Sequence, residues 1–257
     1  MPSQSQHFQN LVAAFNTLTS TYISTGSSSV IPSPKEQELT RAFVALMHAE
    51  IEFYFESICI DITTLAKSEF KAGRISIATL GLITFSGLPT LTAGDLLVST
   101  KKDHARKVEE RFCKGVALLE KLIEGNHGIR QKYLAPLFIP LGLTQEDIDP
   151  NWIVSIDTFS GKRGAFVHKS MFHVEAESKN INPHDEKELV SRLVFDDPTL
   201  KLPGVISSIE SFDAWAVAQG AVSTSVFRNK RHGSLLRRIS WRLINLVSRW
   251  EYYLPSR

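Results

Sequence analysis

Cysteine is scarce in this chain: 257 residues contain two, Cys59 and Cys113. Neither lies at metal-ligand spacing from another thiol, which excludes a thiolate zinc module and leaves both as reduced core or surface thiols. Nothing in the sequence points to export, so no structural disulfide is expected. Charge is missing from two stretches. Residues 1–34 hold no Lys, Arg, Asp or Glu; with no basic start, and with Ser, Thr, Gln and Asn interrupting every apolar run, they do not read as a targeting peptide. Ile75–Gly94 is also free of charge, but Gly81, Gly87, Pro89 and several Ser and Thr residues break the continuous apolar surface that a membrane span requires. The chain therefore reads as soluble and cytoplasmic. Its formal net charge of +2 is too small to imply a polyanionic partner by itself, so any electrostatic argument rests on where the charges sit. Period-2 apolar alternation and internal repeats are missing too, which disfavours a β fold or a solenoid.

What is present is helical periodicity and, at 43% hydrophobic residues, enough apolar side chain for a buried core. Phe8, Leu11, Val12, Phe15 and Leu18 predict a short amphipathic helix from Gln6 to about Ser20. A Ser-rich connector leads to Ser33-Pro34, where acidic Glu36 and Glu38 mark the first turn of a long helix to about Lys67. Its apolar surface is wide, as a helix packed on several sides requires. Further helices are predicted over Ser99–Glu124, from about Asn151, from Asn182-Pro183, and over Val205–Gln219. The run from Ala135 to Leu143, with two prolines and a glycine, reads as a short helix or a packed loop. The predicted class is all-α, with an N-terminal helix and linker over 1–34, a helical domain over 35–220 and a basic C-terminal helical extension over 221–257.

One segment concentrates the chemistry: Asp157-Thr-Phe-Ser-Gly-Lys-Arg163-Gly-Ala-Phe-Val-His168. A guanidinium holds phosphate charge and an imidazole moves protons near neutral pH, and together the two can cut RNA without a metal. On a helix, Trp152, Ile156, Phe159, Arg163 and Phe166 follow one face, so Arg163 falls inside an apolar row. An arginine there needs a carboxylate, a phosphate ligand or a partner subunit. A structural ion pair with Asp157, or with a glutamate of the long helix, is the alternative reading. His168 lies about 140° round the axis from Arg163, beside the low-bulk row Asp157, Gly161 and Gly164. The pair converges if the arginine wraps round, if the glycines interrupt the helix, or if a second copy contributes across a two-fold axis. Glu50 and Glu56 are candidates to orient Arg163 or His168, and Lys162 is a supporting cation. His48, at helical spacing from Glu52, reads as a packed side chain. A metal site on His168, His173 and Glu175 or His184 is not expected, and no cofactor is implied.

The sequence resembles the HEPN superfamily, the helical group of nucleotide- and RNA-binding domains, and most of all its stand-alone, defence-associated RNase branch. Two blocks carry the resemblance. Phe43-Val-Ala-Leu-Met-His-Ala-Glu-Ile-Glu-Phe-Tyr-Phe-Glu56 is similar to the family's early helix, and Arg163 to His168 resembles its Arg-x4-6-His signature. The match spans roughly residues 36–220. It implies a bundle of four or five helices and a homodimer whose two Arg/His pairs line one composite site. It implies an endoribonuclease that leaves 2′,3′-cyclic phosphate and 5′-hydroxyl ends on single-stranded RNA or tRNA, in phage defence or a stress response. The family commonly carries a polar residue directly after the arginine, and this chain has Gly164.

The C-terminal end adds a basic cluster, with Arg228, Lys230, Arg231, Arg238, Arg242 and Arg249 preceding any acidic residue until Glu251. From Ser234 to Trp250 the pattern is amphipathic, suited to docking on a bundle while offering arginines to RNA or to an acidic partner surface; a helix lying on a membrane surface carries the same signature and is the less favoured reading. Two other functions fit the same sequence. One is a catalytically weak dimer that binds RNA or nucleotide; the other is a helical interaction subunit that partners an antitoxin, toxin or sensor.

Overall fold

The computed structural model describes residues 4–23, 32–88, 100–168, 181–197, 199 and 204–222, without the side chains of 101, 167, 168 and 220–222. Helices account for its regular structure: α1 Gln6–Tyr22, α2 Pro34–Lys71, α3 Ile77–Phe85, α4 Lys101–Glu124, α5 Gln131–Phe138, α6 Pro150–His168, α7 Pro183–Val194 and α8 Ile209–Val222. The fold is all-α. Among the described residues, extended pairing is limited to one bridge between Ile148 and Ile206. The chain divides after Ser223 into two units, and every described residue belongs to the first. The basic cluster from Arg228 to Arg249 lies outside the described residues.

Local chemistry sets the helix starts. Ser33 accepts from the Glu36 amide at 3.3 Å while the Glu36 carboxylate accepts from the Ser33 amide at 2.7 Å, a reciprocal cap reinforced by Pro34 at the first helical position. Thr100 and Asp103 repeat the device at α4, at 3.2 and 3.1 Å. The long helix α2 touches all seven of the others. Phe43, Met47, Ile51, Tyr54, Phe55 and Ile58 are buried along it, which fixes its rotation about its own axis. Phe55 meets Phe138 of α5 and Phe212 of α8 edge to face, with centroids 5.9 and 5.2 Å apart. The Asp213 carboxylate, 1% exposed, accepts from the Tyr54 hydroxyl at 3.0 Å and from the Ser5 amide at 2.8 Å, joining α8, α2 and the start of α1.

The charge-free stretch from Ile75 contains α3, a nine-residue helix that periodicity did not single out. Its packing explains it. A Cβ at Gly81 would stand 2.1 Å from the Pro140 carbonyl oxygen, and one at Gly115 of α4 would stand 1.9 Å from that of Leu82. Backbone meets backbone on both sides of α3, an approach open only to glycine. No helix among the described residues is long and apolar enough to cross a membrane. Cys59 is a buried free thiol whose pKa burial pushes up to about 12, and Cys113 is free and exposed.

Candidate functional site

The site forms where α6 crosses α2. Trp152, Ile156 and Phe159 of α6 are 5%, 1% and 0% exposed, the apolar row read from the sequence, and Arg163 continues it as a half-buried side chain. Beside this row Ser160 is buried, its Oγ 3.2 Å from Nε2 of His48 on α2. The His48 ring is 2% exposed, stacks on Phe159 at a centroid distance of 6.1 Å, and places Nδ1 3.6 Å from Glu52. Arg163 acts electrostatically on both His48 and Glu52. The long-helix glutamate facing Arg163 is thus Glu52. Glu50 is exposed, about 160° round α2 from Glu52.

The connection from α4 to α5 closes the other side. Asn126 donates to Glu56 at 2.8 Å, and His127, which is exposed, acts on Glu52. Arg130 immediately precedes α5 and carries an Nη2 3.5 Å from where a Cβ on Gly161 would sit. Asp157 accepts from the Gln131 amide at 2.8 Å. That carboxylate caps the first turn of α5, and it holds Arg130 against α6 instead of pairing with Arg163. Lys162 points away from the cluster, donating to the buried Glu186 of α7 at 2.6 Å. Among the described residues, neither Arg163 nor Arg130 closes an ion pair. Around Gly164, a Cβ would meet nothing within 4 Å.

Of the residues singled out from the sequence, Arg163, Glu56 and Asp157 come together here, while Glu50 and Lys162 do not. His168 is the last residue of α6, and its side chain lies outside the described residues, as do His173 and Glu175. The sequence reading missed Arg130, Ser160 and the role of Glu52. The i, i+4 spacing of His48 and Glu52 was a signal for the last; for Arg130 in a short connection there was none.

Burial, with Arg163 and Arg130 adding to it, lowers the His48 pKa to about 4, so the ring is neutral at pH 7 and bridges Ser160 as a hydrogen-bonding group. Glu52 moves upward, chiefly through burial and then through Glu56, with Arg163 and His127 pulling the other way. These shifts act oppositely on stability. Below its unfolded pKa of about 6.5, His48 takes up a proton more readily in the unfolded chain, so its contribution to stability is lost as pH falls toward 4. Glu52 is protonated more readily in the folded chain, which offsets part of that loss as pH falls. Wild type is expected to lose about 2 kcal/mol between pH 8 and pH 5 through His48. Urea unfolding across that range should show His48→Gln with a flatter profile; parallel profiles would contradict a buried neutral imidazole.

No family model, curated protein or solved structure matches the chain.

Proposed function

We propose that this protein is an endoribonuclease that cuts RNA without a metal, by attack of the 2′-hydroxyl, in phage defence or a stress response. The observation that carries the reading is the state of Arg163. It is half-buried on α6 between polar residues of two other elements, closes no ion pair among the described residues, and precedes His168 by five positions. Such a guanidinium is available to an anionic ligand.

RNA supplies its own nucleophile, so the protein needs only to move protons and stabilise charge. The 2′-oxygen bonds to phosphorus, the phosphorus–5′-oxygen bond breaks, and the products are a 2′,3′-cyclic phosphate and a 5′-hydroxyl. One His168 accepts the 2′-hydroxyl proton, a second protonates the leaving 5′-oxygen, and Arg163 holds the charge that builds on phosphate. Two histidines call for two copies. Support for pairing comes from Leu46, Phe53 and Ile60, which are 40%, 64% and 50% exposed and recur every seven residues along α2. This apolar stripe lies about 60° round the helix from Glu56 and about 100° from Glu52, an uncovered face for a second copy.

A second reading, an RNA- or nucleotide-binding dimer of weak catalytic power, is favoured by Gly164, which offers no polar side chain at that position. One experiment separates the two. Purified protein incubated with single-stranded RNA or tRNA in EDTA is expected to cleave it. RNA bound but left intact would favour the binding reading, and RNA neither bound nor cut would contradict both.

A further inference from the structure

Nothing in the sequence pattern singles out Arg130. One contact of its own and two of its surroundings place it. The amide of its neighbour Gln131 is held by Asp157 at 2.8 Å, its own Nη2 lies 3.5 Å from the Cβ position of Gly161, and α6 is seated on α2 by the 3.2 Å approach of Ser160 to His48. Asp157, Gly161 and Gly164 form one low-bulk row on α6, and His168 is the next helical position on that row. Arg130 therefore reaches the glycine row from the α5 side. Arg163 sits on the flank of α6 nearer α2, where it acts on the same imidazole that Arg130 does. Gly164 lies about 100° round α6 from Arg163 and about 60° from Gly161, with nothing within 4 Å of its Cβ position.

Both guanidiniums act on the His48 imidazole, and two cations that converge on one place repel unless negative charge lies between them. Of the local carboxylates, Asp157 is held by the Gln131 amide and Glu56 by Asn126, while Glu52, 3.6 Å from Nδ1 of His48, faces Arg163 without closing an ion pair with it. We propose that Arg130 is a second phosphate-holding residue, and that Arg130 and Arg163 grip one phosphate from opposite sides over the open backbone of Gly164. The inference rests on the RNA-cleaving reading for the identity of its ligand. It adds a residue from a different element, so that the connection between α4 and α5 contributes to the cleft as well as α6. The two glycines then have a purpose beyond helix packing, because a side chain on either would occupy the space between the two cations.

The test measures binding to the purified protein of a 2′-O-methyl oligonucleotide, which lacks the attacking hydroxyl, and of inorganic pyrophosphate. Wild type, Arg130→Gln, Arg163→Gln and the double variant are compared across salt concentrations. Each single change is expected to weaken both ligands about tenfold, the effect of losing one charge-assisted contact. The double variant is expected to lose much less than the product of the two, since both residues serve one phosphate. Its oligonucleotide salt slope should fall by about 0.7, the value for one phosphate on a single strand. Arg130→Lys, which keeps the charge and lacks the fork, should bind between wild type and Arg130→Gln, and covers the case in which the glutamine variant does not fold. Pyrophosphate bound in an Arg130-dependent way without oligonucleotide binding would remove the RNA reading and keep the arginine pair. Unchanged binding by Arg130→Gln, losses that multiply, or no binding of either ligand by wild type would overturn the pair.

Discussion

Replacing Arg163 by alanine is expected to slow RNA cleavage by about 10² to 10³-fold, the usual effect of removing one preorganised charge-stabilising donor. Stability should change little. Arg163 is half-buried and closes no ion pair among the described residues, so its removal leaves no buried charge without a partner. The same change carries a second signal that cleavage data do not contain. Burial is the first cause of the low His48 pKa and Arg163 the second. In Arg163→Ala the His48 imidazole should therefore titrate higher than in wild type, though still below its ordinary range because burial remains. His168→Ala should abolish cleavage. Imidazole resonances followed by NMR against pH, together with initial cleavage rates, check both statements. Unimpaired cleavage by either variant would remove it from the catalytic pair.

Gly115→Ala is expected to destabilise the protein by about 3 kcal/mol, against an intrinsic helix preference that alone would stabilise it by up to about 1 kcal/mol. A Cβ there would stand 1.9 Å from the Leu82 carbonyl oxygen. Both contacting groups are helix backbone, so no side chain can rotate away and α3 must move off α4. That movement has little room, because α3 is closed on its other side by Gly81 against Pro140. Gly164→Ala, in open space on α6, should instead gain stability through helix preference. Urea denaturation of the two variants side by side measures the contrast. Equal stability of Gly115→Ala and wild type would mean that the two helices are not in backbone contact.

Helical periodicity made most of the fold legible. The row Trp152, Ile156, Phe159 and Arg163 could be drawn without coordinates, because burial follows period on a helix packed on one side. Ser33-Pro34 with Glu36 marked the start of α2 because capping is local chemistry. Helix α3 was not legible: its charge-free sequence has no polar face to set a phase, and its place depends on two close backbone approaches far apart in sequence. The site was legible in part. Arg163 stood out as a charge in an apolar row, yet its glutamate neighbour depended on the rotation of α2. Burial of Ile51, Tyr54, Phe55 and Ile58 turns Glu52 toward α6 and Glu50 to solvent, a consequence of phase that charge alone does not reveal. Asp157 and Lys162 sit close to Arg163 in sequence, but they serve Gln131 and Glu186, and contacts of that kind come from tertiary packing. Arg130 needed all of these placements before it could be connected to α6.

Attack by the 2′-hydroxyl is tested with a DNA oligonucleotide containing a single ribonucleotide, incubated in EDTA with wild type, Arg163→Ala and His168→Ala. One cut is expected, on the 3′ side of the ribonucleotide, leaving a 2′,3′-cyclic phosphate and a 5′-hydroxyl; wild type makes it, Arg163→Ala makes it about 10² to 10³-fold more slowly, and His168→Ala does not make it. Cuts at deoxynucleotides, or a 5′-phosphate at the new end, would contradict attack by the 2′-hydroxyl and with it the role given to Arg163 and His168.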